Sequence, residues 1–238
     1  MKKLVTKIRM FGIKKLLWFA SIELRMKFYR TFFGSYSQFQ EDLIIDKLLG
    51  RKAFGFYVDI GAADGAHYSN TYFFYRKGWR GINIEPDPDN YKQLIRTRKQ
   101  DICVNSAIGV KRHNSTLYQF SPGVLSTLSK TVAQEFKTTG YQYLGTKKVH
   151  TDTLASILDK HLKVKNIDFF TIDTEGYDFV VLQSNNWKKF KPALICIEME
   201  HAHQFEGKTK ENQVHLYLLQ LGYRLRFQNP TNRIYQLH

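Results

Sequence analysis

The sequence predicts an α/β protein: a mostly parallel, seven-stranded sheet with a C-terminal antiparallel hairpin, preceded by a helical extension. Three observations predict it. From residue 35 onward, short apolar strand-like runs alternate with helical stretches, and such alternation places helices over both faces of a parallel sheet. The 238 residues, 43% hydrophobic and 15% aromatic, are enough for one full α/β domain with a substantial core. The chain closes with "YRLRFQNPTNRIYQLH", two strands around an Asn-Pro turn.

In order, "SYSQFQEDLIIDKLLG" reads as a helix. Ser37 and Gln40 stand at capping-box spacing, and Leu43, Ile44, Leu48 and Leu49 form an apolar stripe before Gly50. Strand "GFYVDIG", helix "SNTYFFYRKG", strand "RGINIEP", helix "DPDNYKQLIRTR" and strand "DICVNSAIG" follow. Residues 111–148 carry Ser, Thr and Gly throughout with no strong period. They read as irregular, with a strand, a short helix and a mobile loop. Helix "TDTLASILDKHL", strand "IDFFTID", helix "GYDFVVLQS", strand "KPALICIEME" and helix "NQVHLYLLQLG" lead to the closing hairpin. No internal repeat, low-complexity tract or second domain interrupts the order. The chain divides into an extension, 1–34, and a domain, 35–238.

The net charge is +15, and residues 1–30 hold nine Lys or Arg against Glu23 alone. Ile13, Leu16, Leu17, Ala20, Leu24 and Phe28 fall at helical spacing within them, with Lys14, Lys15, Ser21 and Arg25 off the stripe. A basic amphipathic helix of this kind either lies on an anionic membrane surface or packs on its own domain with a solvated back. Its longest uncharged run, "LLWFASI", is too short to span a bilayer, and no small-residue cleavage site follows. The charge also suits nucleic acid, but no recognised binding motif accompanies it. Cys103 and Cys196 both sit in apolar runs and read as free thiols of a reducing compartment. The expected location is the cytoplasm, at a membrane periphery if the helix binds one.

Chemistry concentrates in "DIGAADGAHYSNT", residues 59–71. The loop follows the first strand, at the crevice where the strand order of an open α/β sheet reverses and ligands bind. Gly61 and Gly65 permit positive φ, while Ala62, Ala63 and Ala66 leave the backbone bare for close approach. Ser69 can cap the next helix, whose amide end favours an anionic group. A dinucleotide fingerprint would read G-x-G-x-x-G, but this loop carries Asp59 before its first glycine and Asp64 inside. Two carboxylates repel a pyrophosphate and attract a sulfonium, which favours S-adenosylmethionine (SAM) over a nicotinamide dinucleotide. Glu85 closes the second strand, placed to grip ribose hydroxyls. Asn105 and Ser106 end the third strand, near an adenine edge.

These pieces resemble the FkbM family of SAM-dependent methyltransferases. The resemblance runs from about residue 35 to the end, through "SQFQEDLI", "FYVDIGAADGAHYSNT", "GWRGINIEPDP", "NSAIG", "IDFFTIDTEGYDFVVL" and "GYRLRFQNPTNRIY". It implies a class I methyltransferase (Rossmann-like) fold and methyl transfer to oxygen, commonly a hydroxyl of a sugar or polyketide. Gln40 stands where many relatives have glycine, and Thr171 where many have lysine. The candidate cofactor residues are Gln38, Asp59, Gly61, Ala62, Asp64, Gly65, Ser69, Asn70, Thr71, Glu85, Asn105, Ser106 and Asp173. Gln38 and Glu41 are placed over the SAM pocket by the family motif. His67, inside the loop, reads as a satisfied loop residue.

Asp173 and Glu175 lie two apart at a strand end, so an extended chain turns both to one side. Glu198 and Glu200 repeat that spacing on the next strand, and His201 and His203 follow. An alcohol attacking a sulfonium methyl must lose its proton, which a carboxylate or imidazole can take. Asp173, Glu175 and His201 are therefore the candidate catalytic groups. A divalent cation, Mg²⁺ or Mn²⁺, could instead acidify the hydroxyl, with Asp173, Glu200 and His201 as candidate ligands. The expected activity is O-methylation of a sugar hydroxyl on a surface glycan or its lipid-linked precursor. RNA methylation and a non-catalytic SAM-fold module at the membrane are the alternatives.

Overall fold

A computed structural model describes residues 20–199 and 209–238. Residues 20–33 are helical (α1), followed by α2 (Glu41–Leu48), β1 (Phe56–Ile60), α3 (Tyr72–Arg76), β2 (Arg80–Ile84) and α4 (Pro88–Thr97). Next come β3 (Ile102–Val104), β4 (Ala107–Ile108), β5 (His113–Ser121), a 3₁₀ turn (Gly123–Leu125), α5 (Lys130–Thr138) and β6 (Gln142–Asp152). The chain ends with α6 (Leu154–His161), β7 (Phe169–Ile172), α7 (Asp178–Gln183), β8 (Leu194–Glu198), α8 (Thr209–Gln220), β9 (Tyr223–Gln228) and β10 (Asn232–Leu237).

The main sheet has the order β3-β2-β1-β7-β8-β10-β9. Its first five strands are parallel, and β10 runs antiparallel to both β8 and β9. The closing hairpin therefore inserts its last strand inside the sheet and leaves β9 at the edge. Strand order reverses between β1 and β7, so the crevice opens beyond Ile60 and Ile172.

The central strands are apolar on both faces, as a doubly covered parallel sheet requires. Along them alternate residues part to opposite sides. Val58, Ile60, Phe170 and Ile172 join Leu158, Val181, Leu182 and Leu218, while Tyr57 and Phe169 join Ile45, Phe74, Trp79 and Leu194.

Several local expectations change. Helix α2 is capped at Gln40, whose side chain makes no capping bond. Ser37 instead donates to Asp42 Oδ1 at 2.8 Å, beside Ser35 at 2.7 Å. The acid inside the helix reaches back for the turn, replacing the capping box. Gln40 has φ 64°, left-handed backbone that glycine adopts without strain, which accounts for the glycine of the family pattern.

The run "DICVNSAIG" is two strands. It breaks at Asn105-Ser106, and β4 leaves the main sheet to pair with β6. Residues 111–148 hold β5, the 3₁₀ turn, α5 and most of β6, so the expected strand and short helix are present and a second long strand joins them. β5 and β6 form a long antiparallel pair, completing a second sheet β4-β6-β5. Phe120 packs on Val132, Ala133 and Phe136 of α5 to make a small core of its own. In α1 the buried residues are Ile22 and Met26, whereas Ala20, Leu24 and Phe28 of the expected stripe face outward. Ile13, Leu16 and Leu17 lie outside the described residues. Among the described residues no helix is long and apolar enough to cross a membrane.

Candidate active site

A cleft of about 550 Å³, open mouth included, lies beyond the ends of β1, β2 and β7. Gly61 and Ala63 form one wall, and Ile84, Glu85 and Asn90 another. Ser106, Ala107 and Ile108 continue it, and Leu117 with residues Gly123, Val124, Ser126 and Leu128 roof it from the second sheet. Asp173, Thr174 and Glu175 complete the rim after β7. The roof, unforeseen as structure, therefore bounds the site.

Glu85 is 4% exposed at the strand end. Its two oxygens accept the backbone N–H groups of Ala63 and Asp87, both at 2.8 Å. Burial pushes its carboxyl up to about 7, and those two amides only partly offset the effect. A buried carboxyl lining a cleft still has lone pairs to accept hydroxyl hydrogen bonds. Ala63, at φ 47°, owes its left-handed turn to that bond.

The glycines have a different reason than ligand approach alone. A Cβ on Gly61, at φ 88°, would sit 1.7 Å from the Asp173 carbonyl oxygen. Gly61 thus lets the ends of β1 and β7 meet, and it also lines the cleft. A Cβ on Gly65 would lie 2.7 Å from Leu94 and 3.1 Å from Arg98, so its bareness admits α4.

Arg98, at the C-terminal end of α4, is fully buried and was not singled out in the sequence. Its guanidinium donates to the Gly65 carbonyl (2.7 Å), Tyr57 hydroxyl (2.7 Å), Ser69 Oγ (2.9 Å) and Thr71 Oγ1 (2.7 Å). Thr71 Oγ1 in turn donates to Asp59 Oδ2 at 2.6 Å. Asp59 is wholly enclosed, and burial raises its carboxyl, with Arg98 opposing the rise. Asp59, Ser69 and Thr71 accordingly lie beneath the loop, tied to Arg98. Ser69 also accepts the Thr71 and Tyr72 amides at 3.2 and 3.1 Å, capping the start of α3. The run "LIRTRKQD" conceals Arg98 among solvent-facing cations. Its one signal is helical: Arg98 lies four residues after buried Leu94, on the same face.

Asp64 closes the loop on itself. Half-burial works to raise its carboxyl, but bonds from the Ala66 and His67 amides and the His67 ring outweigh it and hold it low. His67 Nδ1 lies 2.6 Å from Asp64 Oδ2, a satisfied loop histidine. Asn70 Nδ2 donates to Thr171 Oγ1 at 3.1 Å, bridging loop and β7. Asn105 donates to the Glu85 carbonyl at 2.8 Å, and Ser106 to the Ala107 carbonyl at 2.8 Å. Ala62 is buried, and Gln38 is half-buried in the bend before α2. Glu41 is fully buried and accepts from Asn229 and Asn232 at 2.6 and 2.9 Å. It anchors the bend to the closing hairpin.

Of the candidate cofactor residues, Gly61, Glu85, Ser106 and Asp173 line the cleft. The others brace its walls or flank it.

At the rim, Asp173, Glu175 and Glu198 converge, each offering a carboxylate oxygen within 4.8 Å of the others. Glu175 has φ 51°, so the chain turns after β7 instead of remaining extended. Thr127 Oγ1 donates to the Glu175 carbonyl at 2.7 Å, linking roof to rim. Three such oxygens can take a proton from a hydroxyl or ligate a hard divalent cation. Glu200, His201 and His203 lie outside the described residues.

The sequence matches the family model for the methyltransferase FkbM domain over residues 59–225, well over half of the chain. No curated protein matches. Among solved structures, the METTL16 methyltransferase domain is 13% identical, with 90% of this chain and 77% of that one covered and a TM-score of 0.50. A TehB-like SAM-dependent methyltransferase from Corynebacterium glutamicum is 7% identical, covering 92% and 97%, with a TM-score of 0.45. Aeropyrum pernix fibrillarin, solved with bound SAM, is 13% identical, covering 82% and 74%, with a TM-score of 0.45. The first of these likenesses, with the sheet order, gives the fold as class I methyltransferase.

Proposed function

The chain belongs to the FkbM methyltransferase family, and from that premise we propose that this SAM-dependent methyltransferase methylates a hydroxyl oxygen. The acceptor in this reading is a sugar of a surface glycan or its lipid-linked precursor. One observation carries it: the buried Glu85 borders the same cleft at the β1/β7 reversal as Asp173 and Glu175, whose carboxylates converge with that of Glu198.

SAM supplies an electrophilic methyl group on a sulfonium. Glu85 would accept its ribose hydroxyls, and Ile84, Ile108 and Leu117 would give its adenine an apolar slot. Gly61 and Ala63 leave the loop wall low. The rim carboxylates favour the positive sulfonium. One of them, Asp173 or Glu175, would take the acceptor's proton as the hydroxyl oxygen bonds to the methyl carbon and the carbon–sulfur bond breaks, its electron pair leaving on the sulfur of S-adenosylhomocysteine. An acceptor that is neutral until attack needs such a base, which is why the rim supports hydroxyl transfer. The same oxygens are ligands of the kind Mg²⁺ and Mn²⁺ take, so metal assistance is tested alongside.

The experiment incubates the protein with SAM and a panel of glycans, nucleotide sugars and RNAs, with and without a chelator. Mass spectrometry then locates the added methyl group. An ether methyl on a sugar supports the reading, and methylation confined to RNA or to nitrogen overturns it. The net charge of +15 favours RNA as a second reading, for which binding would weaken steeply with salt.

A further inference from the structure

Helix α1 has two apolar faces, of which the domain covers one. Ile22 and Met26, at 4% and 5% exposure, pack inward. Leu24, Phe28 and Phe32, spaced four apart and so on one face, are 71%, 50% and 68% exposed. The Phe28 and Phe32 rings lie 4.7 Å apart, and Phe33, 55% exposed, is 6.3 Å from Phe28. Four large apolar side chains therefore form one outward patch.

The charges around this patch have one sign. Arg25, Lys27 and Arg30 are all exposed. The Arg25 and Arg30 guanidinium groups stack over Phe39 and Tyr36, 4.6 and 5.1 Å from the ring centroids. Glu23, the single acid among residues 20–33, accepts from the Tyr68 hydroxyl. That bond draws it against the loop that follows β1. The exposed surface of α1 thus carries the phenylalanine patch together with three cations and one acid.

We propose that this face docks the protein on an anionic lipid bilayer, the phenylalanines entering the headgroup boundary and the cations meeting lipid phosphates. An apolar face with basic flanks matches the two attractions such a surface offers. A protein partner would need a matching acidic groove and a nucleic acid a stacking groove, and four clustered phenylalanine and leucine side chains suit neither as well. The Glu23–Tyr68 bond anchors α1 to the loop of residues 61–71. This inference is independent of the acceptor's identity.

The test is co-sedimentation of the full chain with vesicles of phosphatidylcholine alone and of phosphatidylcholine and phosphatidylglycerol in equal parts. Binding to the anionic vesicles, weak on the neutral ones, is expected. A Leu24→Ser, Phe28→Ser, Phe32→Ser variant should lose about tenfold or more of that binding. Its melting temperature and SAM binding should stay unchanged. Lys27→Glu, which touches no packed group, should lose about fivefold or more. No binding by the full chain to anionic vesicles overturns the proposal. So does equal binding by both variants, or an RNA affinity or self-association that disappears with the phenylalanines while vesicles are ignored. SAM binding is measured separately, so failure here leaves the methyltransferase reading standing.

Discussion

Arg98 is a fully buried cation, held by four hydrogen bonds to the loop and the core and by a longer contact to Asp101 Oδ2 at 3.5 Å. Replacing it by Met would leave Asp59 and Asp101 buried beside an apolar side chain, at a cost of roughly 3–5 kcal/mol. Urea denaturation measures this, and a loss near zero would contradict the network. Gly61→Ala should also destabilise, by roughly 1–3 kcal/mol from the left-handed backbone alone. The overlap with the Asp173 carbonyl adds to that, so SAM binding should fail in the same variant. Glu85 predicts a pH dependence. Its folded carboxyl sits at about 7, above the ordinary value of 4.5. The stability it contributes to the empty protein is therefore full below about 4.5 and lost as pH rises through about 7. Ribose hydroxyls donate to the ionised form, so SAM affinity should instead rise with pH through about 7, with proton release on binding. Calorimetry at pH near 7 in buffers of different ionisation heat checks it, and an affinity flat with pH contradicts it. Glu85 was legible because an acid at the second strand's end has a topological meaning. Arg98 was not, because in a basic run only its spacing from Leu94 separates it from the exposed cations.

The roof from β5 to β6 is the element that sequence patterning read least well. The Ser and Thr of "HNSTLYQFS" break its apolar period, so it reads as irregular. In the structure it is β5, whose Leu117 and Phe120 are buried in two separate small cores while its other residues are half-buried or exposed. One-sided strands of this kind carry half the apolar signal of the central ones. The β1, β2, β7 and β8 runs, buried on both faces, were plain. The carboxylate pair was readable from its spacing, but the left-handed Glu175 and the Thr127 bond that ties it to the roof arise only in three dimensions. Thr127→Val keeps the shape and deletes the donor to the Glu175 carbonyl. It should cost about 1–2 kcal/mol and speed amide exchange across residues 121–129. Unchanged exchange there would show that the bond does not hold the roof.

The molecule as a whole is a class I methyltransferase fold with two additions, a second sheet over the cofactor crevice and a basic helix beside it. The crevice position follows from strand alternation and a glycine loop, both written in the sequence. The roof and rim that border the crevice depend instead on which side chains the folded chain brings together. The helix shows the same division: its amphipathic period was visible, but the domain covers Ile22 and Met26 and leaves Leu24 and Phe28 outside. The central claim is that the cleft binds SAM, and calorimetric titration of the purified chain with SAM and with S-adenosylhomocysteine tests it most directly. The account predicts saturable one-to-one binding of both, lost in Gly61→Ala and weakened about tenfold or more in Glu85→Ala. Absence of binding by either ligand to the folded wild-type protein would contradict it.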